Sequence, residues 1–176
     1  MNLIEIVNEE PKTQEDWATW HNNHGSVMAS VADLYQLGKQ KGQLRQNTET
    51  STKIFYHGSP DIKIVHNCGS RFVNPVESRV VKIPSSNLEL TTLKEKNMTP
   101  EIINFLQALF NTDDKPEQIL KSIENLSGYN PRAIKVPKDP RTGYTKVSVL
   151  IDSDNNFFIE CYFLIFGKGG SYKVVK

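Results

Sequence analysis

Residues 157–166 read Phe-Phe-Ile-Glu-Cys-Tyr-Phe-Leu-Ile-Phe, and no other stretch restricts the fold so strongly. Written as a strand, the segment is apolar on both sides. Phe157, Ile159, Cys161, Phe163 and Ile165 fall on one face, and Phe158, Tyr162, Leu164 and Phe166 on the other. Such a strand belongs in the middle of a sheet, covered on each face. It is too short to span a bilayer. The remaining chain therefore has to supply neighbouring strands and at least one layer to cover them.

Neighbours are readable on both sides. Tyr144–Ile151 alternates, with Val147, Val149 and Ile151 on one face, and Asp152–Asn156 has the composition of a tight reversal. Ala133–Val136 reads as a short strand before a turn-rich loop at 138–143, and Gly167–Ser171 turns the chain into a last strand at 172–175. Upstream, Lys53–His57 and Ile62–His66 flank Gly58-Ser59-Pro60-Asp61, the pattern of a β-hairpin. A further extended pair is expected at 79–83 and 88–92.

The covering layer comes from two helices. Thr99-Pro100-Glu101 is a capping hydroxyl, a proline at the first helical position and an acid at the positive dipole end. Ile102, Ile103, Phe105, Leu106, Leu109 and Phe110 follow as an apolar stripe. Asp114-Lys115-Pro116-Glu117 repeats the pattern, with Ile119, Leu120, Ile123 and Leu126 inward and Gly128 as the stop. The expected fold class is α+β: an antiparallel β-meander packed on a helix pair.

The N-terminal part reads differently. Thr13 can cap a helix carrying Trp17, Trp20 and His21 on one face, and Ser26 can cap a second with Val27, Met28, Val31, Leu34 and Tyr35, stopped by Gly38. Residues 38–52 hold one large apolar side chain, Leu44, too little to offset the entropy of ordering. Three parts are thus expected: a helical arm at 1–38, a linker or exposed loop at 39–52 and an α+β domain at 53–176.

Charge is segregated beneath a net +1. Lys12 is the single base of residues 1–37, against Glu5, Glu9, Glu10, Glu15, Asp16 and Asp33. Bases and rings gather instead at Arg132, Lys135, Lys138, Arg141, Tyr144, Lys146, Lys168 and Lys173, a composition that suits a phosphate backbone and stacked bases. The helix at 26–37 has no Lys or Arg and is unsuited to reading base edges. Trp17 and Trp20 suit a contact with a protein partner, made by residues 13–37. No basic leader precedes an apolar run, and Cys68 and Cys161 make no disulfide framework, so the reading is cytoplasmic with free thiols.

Sites for chemistry are sparse. Glu160 is the one charge within the most apolar strand. His21, His24, His66 and Cys68 match no zinc-binding spacing. Gly167-Lys168-Gly169-Gly170-Ser171 lies between strands, where no helix N-terminus can stand behind a phosphate. No cofactor and no metal is expected. Ile54-Phe55-Tyr56-His57-Gly58-Ser59 resembles the His-Gly-Ser/Thr motif that ends a strand in ADP-ribosyltransferases of the diphtheria-toxin and poly-ADP-ribose class. The resemblance implies that His57 contacts a nicotinamide ribose and that a later glutamate, Glu160, orients the nucleophile. The family's following strand, an aromatic residue before Ser or Thr, has no counterpart in 82–92.

The functional expectation is a non-catalytic binding module that meets nucleic acid or another anionic partner through a basic C-terminal β surface. The alternatives are a transferase using His57 and Glu160, and an assembly protein docking by its N-terminal helices.

Overall fold

Helix starts fall where side chains can satisfy free N–H groups. In this computed structural model, which describes residues 3–58, 60–128, 130–138, 143–162 and 168–175, Thr13 caps α1 (Gln14–Asn23) by accepting from the Asp16 N–H. Thr99 caps α3 (Pro100–Phe110) by accepting from the Ile102 N–H, and Pro116 opens α4 (Pro116–Ser127). Asn111 and Gly128 end those two helices in the left-handed region. The start of α2 (Val31–Lys39) lies later than the expected Ser26, because Ser30 and Asp33 form a reciprocal capping box. Val27–Met28 instead form a short strand, β2.

Three helices pack together over one sheet face. Leu34 and Tyr35 of α2, Phe105, Leu109 and Phe110 of α3, and Ile119, Ile123 and Leu126 of α4 are buried in one core. Tyr35 stacks on Phe110 with centroids 4.7 Å apart, and its hydroxyl donates to Asp114 at 2.8 Å. Gly38 does not stop α2; it lies inside it. A Cβ there would run into the Ser122 carbonyl and the Leu126 Cβ, so the glycine lets α2 and α4 touch.

The remaining strands are β1 (Leu3–Lys12), β3 (Thr48–Tyr56), β4 (Asp61–His66), β5 (Val76–Glu77), β6 (Val81–Lys82), β7 (Leu88–Glu89), β8 (Asn130–Lys135), β9 (Tyr144–Ile151), β10 (Asn156–Tyr162) and β11 (Gly169–Val175). They form one sheet in the order β1-β11-β3-β9-β10-β8-β7; β4 lies beside the second half of β3 and holds β5 and β6, and β2 lies beside β11. The protein is therefore α+β, with a mixed sheet in place of the expected meander. From β8 to β9 the chain reverses once, and from β9 to β10 again. Since β10 lies between the other two, it runs parallel to β8. The segments at 79–83 and 88–92 do not pair with each other: β6 joins β4, and β7 joins β8.

Two expected boundaries dissolve. Residues 1–38 are not only helical, because β1 pairs antiparallel with β11 from Leu3↔Val175 to Val7↔Ser171 and again at Lys12↔Gly169. Residues 48–52, expected in a linker, form the first half of β3 and are buried throughout. The central strand is also less enclosed than its composition implies. Phe157, Ile159 and Cys161 are buried under the helices, while Phe158, Glu160 and Tyr162 on its other side are half-buried. Positions 163–166 lie outside the described residues. Among the described residues, no helix is long and apolar enough to cross a membrane.

Candidate functional site

Strand alternation decides what the sheet face opposite α2, α3 and α4 carries. Val147 and Val149 of β9 lie in the core under the helices, so Tyr144, Lys146 and Ser148 fall on the opposite side, where Lys146 and Ser148 are also buried. Register then lays out rows across the strands. Phe55 stands beside Tyr144, and Lys53 beside Lys146 and Tyr162. Glu49 stands beside Ser148, Glu160 and Lys135. The Phe55 and Tyr144 rings are 5.8 Å apart, and the Lys53 ammonium sits 5.0 Å over Tyr144. Lys135 lies 4.4 Å over the Phe158 ring and 3.1 Å from the Glu160 carboxylate. Two ring-and-cation groups thus lie on this face, separated by Lys146, Glu49 and Ser148, which are buried, with Lys146 paired to Glu15 of α1.

Beneath one end of this face β3 bulges. Thr50, Ser51 and Thr52 all lie opposite Val147, and side chains take the place of the missing ladder. Gln14 at the start of α1 donates its amide to the Thr50 and Thr52 carbonyls. The Ser51 N–H donates to Ala29 O at 3.0 Å, and Ser51 O accepts from Cys68 at 2.9 Å. The Thr52 hydroxyl accepts from the Val31 N–H and donates to His66 Nδ1, whose other nitrogen donates to Ala108 O. Burial holds the His66 imidazole below its ordinary pKa, in the neutral form this chain of bonds requires.

Glu49 is the unusual member, a carboxylate only 2% exposed. Tyr162 donates its hydroxyl to it at 2.6 Å. Lys146, 4% exposed, donates at 2.6 Å to Glu15 on α1. Burial pushes the Glu49 carboxyl up to about 7 against the opposing pull of Tyr162 and Lys146, with Glu15 adding to the rise. The Tyr162 hydroxyl is raised as well, by burial and by the Glu49 charge. A carboxyl that exchanges its proton near neutrality therefore sits below the ring-and-lysine face. Reasoning from sequence missed it because residues 48–52 are polar. The alternation of Thr48, Thr50 and Thr52 directly into Ile54 was the available signal, since threonine favours strands.

The sequence-predicted basic set is dispersed. Lys135 and Tyr144 lie on this face, with Lys146 buried between their rows. Exposed Arg132 donates to Asn156 at 2.6 Å, Lys138 is exposed beyond β8, and Lys173 on β11 pairs with Glu5 at 3.2 Å. Lys168 is exposed just before β11, and Arg141 lies outside the described residues. Trp17 is fully buried, donating its indole N–H to Gly169 O at 2.7 Å, so only Trp20 of the pair reaches the surface.

His57 and Glu160 do not share a cleft. His57 is exposed past the Phe55–Tyr144 row, whereas Glu160 is level with Ser148 and two strands away. Strand spacings put them roughly 20 Å apart. The candidate metal ligands are also apart. His21 bonds Ser26 and Ser171, and His66 bonds Thr52 and Ala108. Among the described residues no three His, Cys, Asp or Glu side chains converge.

Fold and site together define an α+β protein with one sheet face covered by α2, α3 and α4 and the other carrying rings and lysines beside α1. Compared with family models, with curated proteins and with solved structures, the chain matches none of them.

Proposed function

We propose that this protein is a non-catalytic binding module that takes single-stranded nucleic acid on the sheet face opposite α2, α3 and α4. One observation carries the reading: register and alternation bring Phe55, Tyr144 and Phe158 onto the same face as Lys53 and Lys135, with each ammonium over a ring. Every base has a π-face, and stacking on an aromatic side chain contributes about 1–3 kcal/mol per base whatever the sequence. Single strands suit a sheet surface because their bases are free to splay onto it. Glu160, paired with Lys135, keeps the net charge of the face low, so stacking and not charge supplies most of the affinity.

Residues 13–37, expected to meet a protein partner, offer it Trp20 but not Trp17, and the sheet face has the stronger support. The test is fluorescence anisotropy of a labelled single-stranded oligonucleotide across a salt series. With two lysines engaged, log K should fall with log salt at a slope of roughly −1.4. F55A and Y144A should each weaken binding about tenfold or more at constant fold, and K53E should abolish the salt response of that contact. Equal affinity for wild type and the F55A/Y144A double variant overturns the reading.

A further inference from the structure

A second site stands apart from the sheet face, where the end of β1, the start of β11 and the outer side of α1 meet. The Lys12↔Gly169 pairing sets Lys12 next to Lys168. The Trp17 indole, anchored on Gly169 O, fixes α1 against the same point. Asp16, Trp20, Asn23 and His24 recur at helical spacing along the side of α1 facing this junction, and with the two lysines they line a cleft of about 450 Å³. That volume is within the range of small-ligand sites.

Its chemistry is divided along its length. At one end is a ring stack: His24 lies flat on Trp20, centroids 3.9 Å apart and planes 14° apart. Trp20 is braced edge-on by Trp17 at 5.6 Å and by His21 at 5.1 Å. His24 donates from Nδ1 to Trp20 O at 2.7 Å, which fixes the ring's orientation and leaves Nε2 and the outer ring face toward solvent. At the other end are the two ammonium groups. Lys12 is held by Glu10 O at 3.3 Å and lies 5.2 Å from the Trp17 ring centroid, and Lys168 is exposed. Asp16 lies between the two ends. The charged side chains of the lining are two lysines against one aspartate, so the cleft favours an anion.

We propose that this cleft binds a small planar ring carrying a phosphate, with a nucleoside 5′-monophosphate as the fitting chemistry. The ring continues the stack on His24. The phosphate sits between Lys12 and Lys168, one to two helical turns away, roughly 5–11 Å along α1. Asp16 faces the sugar hydroxyls. Such a ligand joins the stacking and charge of the two ends, which a bare anion or a bare ring cannot do.

Isothermal titration calorimetry of the full chain with AMP tests this, with adenosine, inorganic phosphate and phosphotyrosine as parallel probes. AMP should bind at least about tenfold more tightly than adenosine or inorganic phosphate. K12A, K168A and H24A should each weaken AMP about fivefold or more. AMP should also shift the His24 ring protons in the NMR spectrum. W20F, which keeps a ring in place, should retain folding and show a smaller loss than H24A. The sheet-face double variant F55A/Y144A should leave AMP binding unchanged, which separates failure of this site from failure of the nucleic-acid reading. Phosphotyrosine binding as tightly as AMP widens the ligand to any aryl phosphate and supports the site. No heat with AMP at about 5 mM, equal affinity for AMP and inorganic phosphate, or affinity unaffected by K12A and K168A overturns it.

Discussion

Buried Glu49 and the buried histidines His21 and His66 give pH responses of opposite sign. Glu49 in the native protein titrates near about 7, above its ordinary 4.5, mainly because burial disfavours its charge. Its contribution is present in full below 4.5 and is lost as pH rises through 7. His21 is pushed down to about 4 from 6.5, mainly by burial and then by His24 and Lys173. Its contribution is present above 6.5 and is lost as pH falls through 4. Each effect is on the order of 3 kcal/mol at its limit. Between pH 4.5 and 6.5 these two offset each other, while His66, also held below its ordinary pKa by burial, adds a loss of the same sign as His21, so wild-type stability should fall on acidification. E49Q, which can still accept from Tyr162, should be more stable than wild type above pH 7 and should lose stability on acidification. Urea denaturation at several pH values checks this; parallel curves for wild type and E49Q would count against a protonated Glu49.

Among the elements, α1 and α2 are held by different physics. The start of α1 seals the β3 bulge through Gln14, whose amide serves two strand carbonyls. Gln14→Leu leaves both without that donor and should cost about 1–3 kcal/mol, read as a fall in urea midpoint. The contact of α2 with α4 is steric. Gly38→Ala should destabilise by about 1–3 kcal/mol despite the better helix propensity of alanine, since Ser122 and Leu126 occupy the space of the new methyl. A thermal melt in which G38A is the more stable protein refutes that packing. Legibility in the sequence followed locality. The α3 and α4 boundaries were readable because caps, proline and terminal glycine act within a few residues. The β3–β4 hairpin was readable where β-branched residues flank a turn. Residues 48–52 were not, because their backbone and side chains are satisfied by residues as distant as Gln14, Ala29 and Val147. The carboxylate site was hidden for the same reason: Glu15, Glu49, Lys146 and Tyr162 meet only once the sheet is assembled.

At the level of the molecule, the N-terminal segment is part of the fold. Leu34 and Tyr35 lie in the main core, and Val7, Trp17 and Met28 form a second one. Deleting residues 1–38 should leave a chain with no cooperative melt, measured by circular dichroism and calorimetry. A sharp transition in the truncated chain would restore the arm as a separable piece. The mixed sheet was out of reach of sequence patterns, since alternation in Tyr144–Ile151 marks a strand but carries nothing about which neighbour it takes.

Because Leu3 is opposite Val175, the first and last described strands pair at one edge of the sheet. β1 cannot find its place until β11 has been synthesised, so nascent β1 waits unpaired and folding depends on a contact of very long range. Linking β11 to β1 through a short turn and opening the chain at an exposed loop should therefore accelerate folding while keeping the same native sheet.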